Sequence, residues 1–580
     1  MKKILMICFA VLAVAACKSE GVDEPGKGET AINVDFTADK ETAAAGEEVK
    51  FTATVTGGVA PYTYEWNFSD DITSTDAEPV VVWEESGVKL VSLNVKDSKG
   101  NSASKPKSKT FAVTAPVVED KGDIAISWFV DFEDAEGGIK GSSPAIDDAG
   151  NIYIATNVTN AGQFRKVSAD GKVLTSLAID PAVGDTKMSP SIDSDGNVYV
   201  GGGHKGEGSV HKYSADLSDL WKGVFWAAAG ATPNPKLHYG APVILDNVVL
   251  VPNAGTTGSV GAISKADGSR ISWLTSEEGG GPSGGCRQSP AVSNDGYVWQ
   301  VAAGKAVVGA PLSKLVNPGA VVYDYFAKTV TDAAGNVVAD LTSSSSDRPA
   351  QAVVSVAGEN WCAGLSSPEG QNPRIYLVAK GDGTGLGNAG TVQAKEFVIN
   401  EVNTSIANNT AQDQGGVIVG SQGEVIVNLK SGAAADGGLV AVDPATMTLS
   451  WEYRIGEQVS CCPALTKEGN VVFGTDNGNF YIVKPNYTDK TAELVAKADI
   501  NTLIKEAGMT VTEGFEKFNI KMWSNVCVGD NGKMYIGFTK VDAVPSSGLL
   551  CLSSSAVTGP GNSCWPMFGV DRKHTGVQKK

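Results

Sequence analysis

The sequence predicts an all-β protein in two parts, a sandwich of two antiparallel sheets followed by a ring of four-stranded sheets. Three observations lead to this fold class. Short segments in which apolar and polar residues alternate fill residues 31–115, and a unit of about fifty residues recurs from there to residue 565. The 68 glycines accompany few amphipathic helical patterns, which favours turns and strands over helices.

The N-terminus predicts export and lipid attachment. Two lysines precede an apolar run from Ile4 to Ala16, which is too short to cross a bilayer as a stable helix. Val14-Ala15-Ala16-Cys17 resembles the lipobox of bacterial lipoproteins, which implies cleavage before Cys17 and a lipid on that cysteine. We therefore expect a signal peptide over residues 1–16 and a flexible polar tether over residues 17–30. An ordinary secretory signal with an incidental cysteine is the alternative.

Charge and composition argue against several classes of partner. The formal charge of −18 disfavours nucleic acid and anionic lipid surfaces. None of the four histidines is paired at the spacing of metal ligands, so a histidine-based metal site is not expected.

Seven cysteines remain once Cys8 leaves with the signal peptide and Cys17 is lipidated. Disulfides are permitted outside the cytoplasm, and an odd number leaves at least one free thiol or a bond to another chain. The seven are Cys286, Cys362, Cys461, Cys462, Cys527, Cys551 and Cys564.

Residues 31–115 contain several short alternating strands separated by turn clusters, which is typical of an antiparallel sandwich. Residues 58–62, 64–68 and 91–97 make this part similar to a PKD domain, although Trp66-Asn67-Phe68-Ser69-Asp70 departs from the Trp-Asp-Phe-Gly-Asp run usual in that family. The resemblance implies an immunoglobulin-like sandwich that acts as a spacer or a contact module. We expect Trp66 in its core and leave Trp83 open.

The remaining chain repeats a unit that contains an apolar strand, an Asp/Asn-Gly turn and an alternating strand, which is a β-hairpin. A third and an often aromatic fourth strand follow, so each unit predicts one blade of a β-propeller. We count eight blades; seven is the alternative, because residues 329–347, which we interpret as a loop, blur the fourth and fifth units.

The run Ser-Pro-Ala-hydrophobic-x-x-Asp-Gly-x-hydrophobic-Tyr makes residues 124–565 resemble the propeller of PQQ-dependent quinoproteins. By analogy, residues 127–132 supply the outer strand of the last blade and close the ring, which removes exposed sheet edges. The tail over residues 566–580 resembles a terminal motif of related propellers, and we expect it to pack on the ring as a cap.

Adjacent Cys461 and Cys462 form a possible vicinal disulfide, and in some PQQ dehydrogenases such a ring stacks on the quinone. We favour the interpretation that they are two small buried residues, and a bond from them to Cys527 or Cys286 on a neighbouring inner strand stays open. Neither PQQ nor calcium is expected, because the other cofactor contacts cannot be assembled from the sequence. Turn formation accounts for the Asp-rich turns, such as the one at Asp193 and Asp195, without calcium.

No Ser-His-Asp motif or phosphate loop stands out, so we expect no catalytic residues. Aromatic and polar residues in predicted loops are candidates for contact with a ligand such as a sugar. They are Trp226, His238, Tyr239, Trp361 and Trp523.

The leading hypothesis is a non-enzymatic outer-membrane lipoprotein, held by its N-terminal lipid, whose propeller binds a protein or glycan at the cell surface. One alternative is a periplasm-facing scaffold, similar to the propeller lipoprotein of the outer-membrane β-barrel assembly machinery. The other is a PQQ-dependent dehydrogenase. A propeller fold by itself does not decide among them.

Overall fold

The structure is a computed structural model with two compact units, Met1–Pro116 and Val117–Lys580. No helix among the described residues is long and apolar enough to cross a membrane. The expected signal peptide, the tether and Cys17 lie outside the described residues. The structure describes residues 31–83, 87–114, 123–132, 138–139, 142–156, 163–178, 188–202, 208–224, 240–253, 260–275, 288–302, 306–322, 325–327, 329–331, 337–340, 351–366, 372–380, 394–399, 416–429, 437–507, 520–541 and 546–580.

The first unit consists of two sheets with the strand orders β1-β3-β6 and β2-β8-β7-β4-β5. Its strands are β1 (Asn33–Ala38), β2 (Thr42–Ala44), β3 (Glu48–Thr56), β4 (Thr63–Asn67), β5 (Thr73–Ser74), β6 (Val80–Val82), β7 (Gly87–Lys96) and β8 (Lys107–Thr114).

Aromatic side chains fill the space between these two sheets. Trp66 and Trp83 are each 1% exposed, and both pack with Phe51 and Phe68. Each indole N–H also donates to a backbone carbonyl, Trp66 Nε1 to Asp76 O at 2.8 Å and Trp83 Nε1 to Phe68 O at 2.9 Å. The expected core position of Trp66 is therefore confirmed, and Trp83 shares it.

The second unit begins with β9 (Ala125–Asp131) and continues as antiparallel groups of four strands. The first groups are β10 to β13 (Ala145–Ile146, Ile152–Thr156, Gln163–Val167, Val173–Ala178), β14 to β17 (Ser191–Ile192, Val198–Gly202, Ser209–Tyr213, Asp219–Val224) and β18 to β21 (Val243–Ile244, Val248–Pro252, Val260–Ser264, Arg270–Thr275).

The next part of the unit is less regular. The strands β22 (Ala291–Val292), β23 (Tyr297–Ala302), β24 (Ala306–Pro311) and β26 (Tyr325–Ala327) form a group, while helix α1 (Leu312–Leu315) leads into β25 (Gly319–Val322), which pairs with β21. The expected loop over residues 329–347 instead contains a hairpin of β27 (Thr329–Thr331) and β28 (Val337–Asp340).

The last groups return to the regular pattern. They are β29 to β32 (Gln351–Val356, Glu359–Ser366, Arg374–Ala379, Ala394–Val398), β33 to β36 (Val417–Val419, Val425–Leu429, Gly437–Asp443, Thr448–Ile455), β37 to β40 (Ala464–Leu465, Val471–Gly474, Asn479–Asn486, Thr491–Asp499), helix α2 (Ile500–Glu506), and β41 to β44 (Ile520–Lys521, Cys527–Val528, Met534–Lys540, Ser546–Ser553). These sheets make the second unit a β-propeller and the chain nearly all-β, as expected; the number of blades stays a prediction.

The N-terminal strand of the unit completes the last group. β9 pairs antiparallel with β44, so that Phe129 lies opposite Leu550. Trp128 on β9 also donates its indole N–H to Ala169 O at 2.9 Å, and that residue belongs to the β12–β13 turn of the first group. The expected ring closure by residues 127–132 is confirmed.

Candidate ligand-binding end of the propeller

The two ends of the propeller are defined by the first strand of each group, which starts at one end and reaches a turn at the other. In the first group the chain passes from Ser143 through β10 to the turn at residues 147–151, which joins β10 to β11. We call the end with these turns the hairpin end. We call the opposite end the girdle end, and define its girdle as Ser143, Ser189, Ala241, Ser289, Cys462 and Asn525.

The turns at the hairpin end use their own carboxylates. Asp193 accepts from the backbone N–H groups of Asp195 and Asn197, from Asn197 Nδ2, and from the Tyr199 hydroxyl at 2.9 Å. Burial alone would raise the pKa of Asp193, but these hydrogen bonds and the charge of Lys265 outweigh it and lower the pKa. Turn formation thus accounts for this carboxylate.

The C-terminal segment crosses the hairpin end from group to group. We call residues 559–580 the plug. Backbone N–H groups of five first strands, in the first, second, fourth, sixth and seventh groups, donate to plug carbonyls, which satisfies donors that would otherwise lie on open strand edges. The bonds are Ile146 N to Arg572 O (2.7 Å), Ile192 N to Lys573 O (2.9 Å), Val292 N to Gly576 O (3.1 Å), Val419 N to Trp565 O (2.7 Å) and Leu465 N to Pro566 O (2.7 Å).

Side chains of the plug are buried against the ring. Trp565, Met567 and Val570 are at most 3% exposed. The cap expected over residues 566–580 is therefore present, but it starts earlier, because Gly559 O already accepts from Lys467 N at 2.9 Å. The sequence boundary at residue 565 divides one continuous segment.

A cationic side chain of the plug, Arg572, joins the last group to the first group at the seam where the ring closes. Arg572 donates to Asp530 Oδ2 at 2.8 Å in the last group, and to Asp148 Oδ1 at 2.7 Å and Ile146 O at 2.6 Å in the first group. Burial opposes the charge on Arg572, yet the two carboxylates outweigh it and raise the guanidinium pKa. One side chain thus joins the two groups that ring closure brings together.

Girdle residues bridge neighbouring groups at the opposite end. In these bonds a side chain of one group accepts from, or donates to, a residue of another. They are Ser143 N to Ser189 Oγ (2.8 Å), Ala241 N to Ser289 Oγ (2.8 Å), Cys462 N to Asn525 Oδ1 (2.7 Å) and Asn525 Nδ2 to Ser143 Oγ (2.7 Å).

Cys461 and Cys462 do not form the possible vicinal disulfide in this structure; both are free and fully buried. Cys461 Sγ lies 3.2 Å from both N and O of Gly474 in its own group. Cys462 Sγ packs on Gly416 of the preceding group, where a Cβ would lie 2.1 Å from the sulfur. The two adjacent side chains therefore have different neighbours, one in its own group and one in the preceding group. Burial raises the pKa of the Cys461 thiol to about 12.

Trp361 is a correction to the loop assignment made from the sequence. It lies in β30, is 3% exposed, and packs in a core cluster with Lys395 Nζ 5.1 Å from the centre of its ring. Trp523 lies between β41 and β42, is partly exposed, and precedes Asn525 of the girdle by two positions. Lys521 Nζ lies 5.9 Å from its ring centre. The other candidates, Trp226, His238 and Tyr239, lie outside the described residues.

The residues that sequence reasoning missed are Asn525 and Arg572. Asn525 occupies the girdle position that is serine in the first, second and fourth groups, so aligning the repeats would have identified it. Nothing local to Arg572 indicates its two carboxylate partners, because both lie more than 40 positions away.

Comparison with known proteins supports the assignment of both units. Residues 33–115 match the PKD domain family. Residues 33–115 are a PKD domain. No curated protein matched the chain by sequence. The crystallised PKD1 domain of Vibrio anguillarum Epp is 22% identical over 15% of this chain and all of that one, with a TM-score of 0.14.

For the part beyond the PKD domain, a quinohemoprotein alcohol dehydrogenase from Pseudomonas putida is 13% identical, with a TM-score of 0.51 over 77% of this chain and 80% of that one. A quinonprotein alcohol dehydrogenase-like protein from Bacteroides thetaiotaomicron is 11% identical over 90% and 95% of the two chains, with a TM-score of 0.30. The likeness to the Pseudomonas putida enzyme concerns the fold alone, which is that of a PQQ alcohol dehydrogenase-like propeller.

The described residues do not present the donor set that the fold family implies. They contain no group of three or more His, Cys, Asp or Glu side chains arranged to hold a metal. Cys461 and Cys462 have different neighbours, so they offer no disulfide face to a quinone. We therefore assign no step to PQQ or calcium.

Proposed function

We propose that the protein is an outer-membrane lipoprotein, anchored through Cys17, whose propeller binds a protein or glycan at the girdle end without catalysis. One observation carries the choice of end: at the hairpin end the plug already pairs with five of the first strands. At the girdle end the partly exposed indole of Trp523 lies beside Lys521. An aromatic face next to polar groups is suited to stacking on a sugar or packing against a protein side chain.

The binding proposal is tested with the full chain on a glycan array and against isolated surface proteins of the same cell. A ligand should be found, and Trp523→Ala should weaken its binding by roughly ten-fold, as expected for an aromatic contact at the centre of an interface. Asp195→Asn, an exposed change at the hairpin end, is the matched control and should have no effect. The proposal fails if no ligand binds to correctly folded protein, or if Trp523→Ala binds as well as the parent chain.

Anchoring and location are tested separately. Cells fed radiolabelled palmitate should label the parent chain but not Cys17→Ala. Protease added to intact cells should cleave the labelled protein if it faces outward. Labelling without cleavage would contradict surface display and favour the periplasm-facing scaffold.

A further inference from the structure

We propose that the hairpin end carries a second binding site, a pocket beside the third group that accepts a short segment of a partner protein with aliphatic and basic side chains. The pocket has a volume of about 730 Å³. That volume is within the range of roughly 300–1,000 Å³ typical of ligand pockets. Its lining includes Leu245, Asp246, Ile271, Leu312, Val316 and Val577.

The pocket lies where one turn is shorter than its neighbours. The last registered pair of β18 and β19 is Ile244 with Val249, whereas in the first group it is Ile146 with Ile152. The third group therefore has one residue fewer between these partners, and Leu245 N donates directly to Val248 O at 2.9 Å in a tight turn. The third group thus lacks the larger Asp-centred turn of the first two groups.

The apolar surface of the pocket comes from the β18–β19 turn, helix α1 and the plug, which meet beside the third group. Leu245, Ile271, Leu312 and Val577 are only partly buried against the core of the third and fourth groups. Val316, just after α1, is 43% exposed. An apolar recess between a turn, a helix and the plug gains free energy when an apolar side chain covers it, because apolar surface is removed from water.

The charge at the rim selects the occupant. Among the described residues that line the pocket, Asp246 is the one charged side chain. It is exposed, and its carboxylate makes no hydrogen bond or ion pair with the described residues. In the second group, by contrast, Asp193 is bound by its own turn and by Lys265 Nζ at 3.4 Å. A free carboxylate beside an aliphatic recess is complementary to a cation next to an aliphatic group.

The occupant is a peptide segment because both the aliphatic wall and the carboxylate reach solvent at the rim. A chain that places a leucine in the recess can continue outward and bring a lysine to Asp246. This site is distinct from the proposed girdle-end site, so the failure of one leaves the other standing.

The test uses the full chain with Cys17→Ser, which keeps it in solution without detergent that would fill the recess. Calorimetry with the end-capped peptide Lys-Leu-Leu-Lys should show binding, while Glu-Leu-Leu-Glu and Lys-Ser-Ser-Lys should bind at least ten-fold more weakly. Asp246→Asn should weaken binding by about three-fold, the scale of an exposed ion pair. Val316→Lys, which places a cation at an exposed position of the rim, should abolish it.

Asp195→Asn is the matched control, since it removes an exposed carboxylate from the equivalent turn of the second group and should change nothing. If Lys-Ser-Ser-Lys bound as tightly as Lys-Leu-Leu-Lys, binding would depend on surface charge alone, and the proposal would be overturned. Unchanged binding in Val316→Lys would overturn it too, provided that circular dichroism shows the fold intact. Displacement of the peptide by an equal concentration of octylamine would assign the pocket to a small amphiphile instead of a protein segment and would also overturn the proposal.

Discussion

The Asn525 side chain donates to Ser143 Oγ at 2.7 Å, although 382 positions separate the two residues. The same amide accepts from Cys462 N at 2.7 Å. Asn525 therefore links the last group of the propeller both to the first group and to the group that precedes the last one. These bonds lie at the opposite end of the propeller from the plug.

Asn525→Ala should destabilise the propeller by about 1–3 kcal/mol, because it leaves the buried Cys462 N–H without its acceptor. Calorimetry of thermal unfolding, with the PKD domain as an internal reference transition, measures the change. Asn360→Ala removes the exposed bond from Asn360 Nδ2 to Asn294 Oδ1 and should have little effect. Equal effects of the two variants would contradict a closing role for Asn525.

Arg572→Ala should loosen the plug at the seam between the last and first groups. The carboxylates of Asp148 and Asp530 are 69% and 70% exposed, so each pair contributes at most about 1 kcal/mol, and the loss of the bond to Ile146 O adds to it. Limited proteolysis should then cut the C-terminal segment faster than in the parent chain. Lys172→Ala, which breaks the exposed pair with Asp170, is the control. A cleavage rate like that of this control would contradict the role of Arg572 in holding the plug.

Acidification should weaken the plug through His574. This side chain is 2% exposed, its Nδ1 lies 2.6 Å from Pro190 O, and its ring packs edge-on against Phe568. Burial lowers the pKa of His574 to about 4, although the Pro190 carbonyl and Asp571 oppose the shift. Between pH 4 and the ordinary histidine pKa of about 6.5, the unfolded chain binds more protons than the folded one. Stability is therefore complete above that range and falls as the pH drops through it.

Hydrogen exchange of the plug amides at pH 7 and pH 4.5, corrected for the intrinsic rate, measures this loss. His574→Gln cannot titrate and should show a smaller difference between the two pH values. A difference as large as in the parent chain would assign the pH dependence to groups other than His574.

Gly576→Ala should displace the plug from the third group. A Cβ there would lie 2.4 Å from Val243 Cγ2, and the backbone has φ +67°. Gly296→Ala is a matched control, since it has φ +77° but no atom within 4 Å of the added Cβ. Both changes incur the left-handed strain of about 1–2 kcal/mol, and only Gly576→Ala adds a clash. Equal melting temperatures for the two variants would show that the contact with Val243 is easily relieved.

Incubation with PQQ and calcium should not confer dye reduction with alcohols or sugars. The Cys461 thiol is hydrogen-bonded to the backbone of Gly474, and Cys462 packs on Gly416. The described residues therefore offer no disulfide that could stack on the quinone. Dye reduction that depends on PQQ would contradict the non-enzymatic proposal. If it survives in Cys461→Ser, the activity does not depend on this cysteine pair.

Local patterns predicted the parts of the fold that local chemistry controls. Alternation and turn residues indicated the strands of both units, and Asp193 and Asn197 form the turn that their spacing predicts. The assignment of Trp361 to a loop was wrong, because a loop and a short strand look alike in sequence when apolar and polar residues do not alternate clearly. The plug was expected as a cap, but its start at residue 559 depends on partners that are not adjacent in sequence.

By itself, the sequence determined that the protein is all-β, that a PKD domain precedes a repeated propeller unit, and that β9 completes the last group. The all-β class and the repeated unit follow from periodicity and turn chemistry, which act over a few residues, whereas the PKD domain and the closing role of β9 were inferred from resemblance to known families. Only the tertiary structure decided that Asn525 and Ser143 close the ring, that the two cysteines have different neighbours, and that the short turn at Leu245 leaves a pocket beside Asp246. Those relationships join residues from different repeats, and their geometry arises only when the strands curve into a ring and bring the first and last groups together.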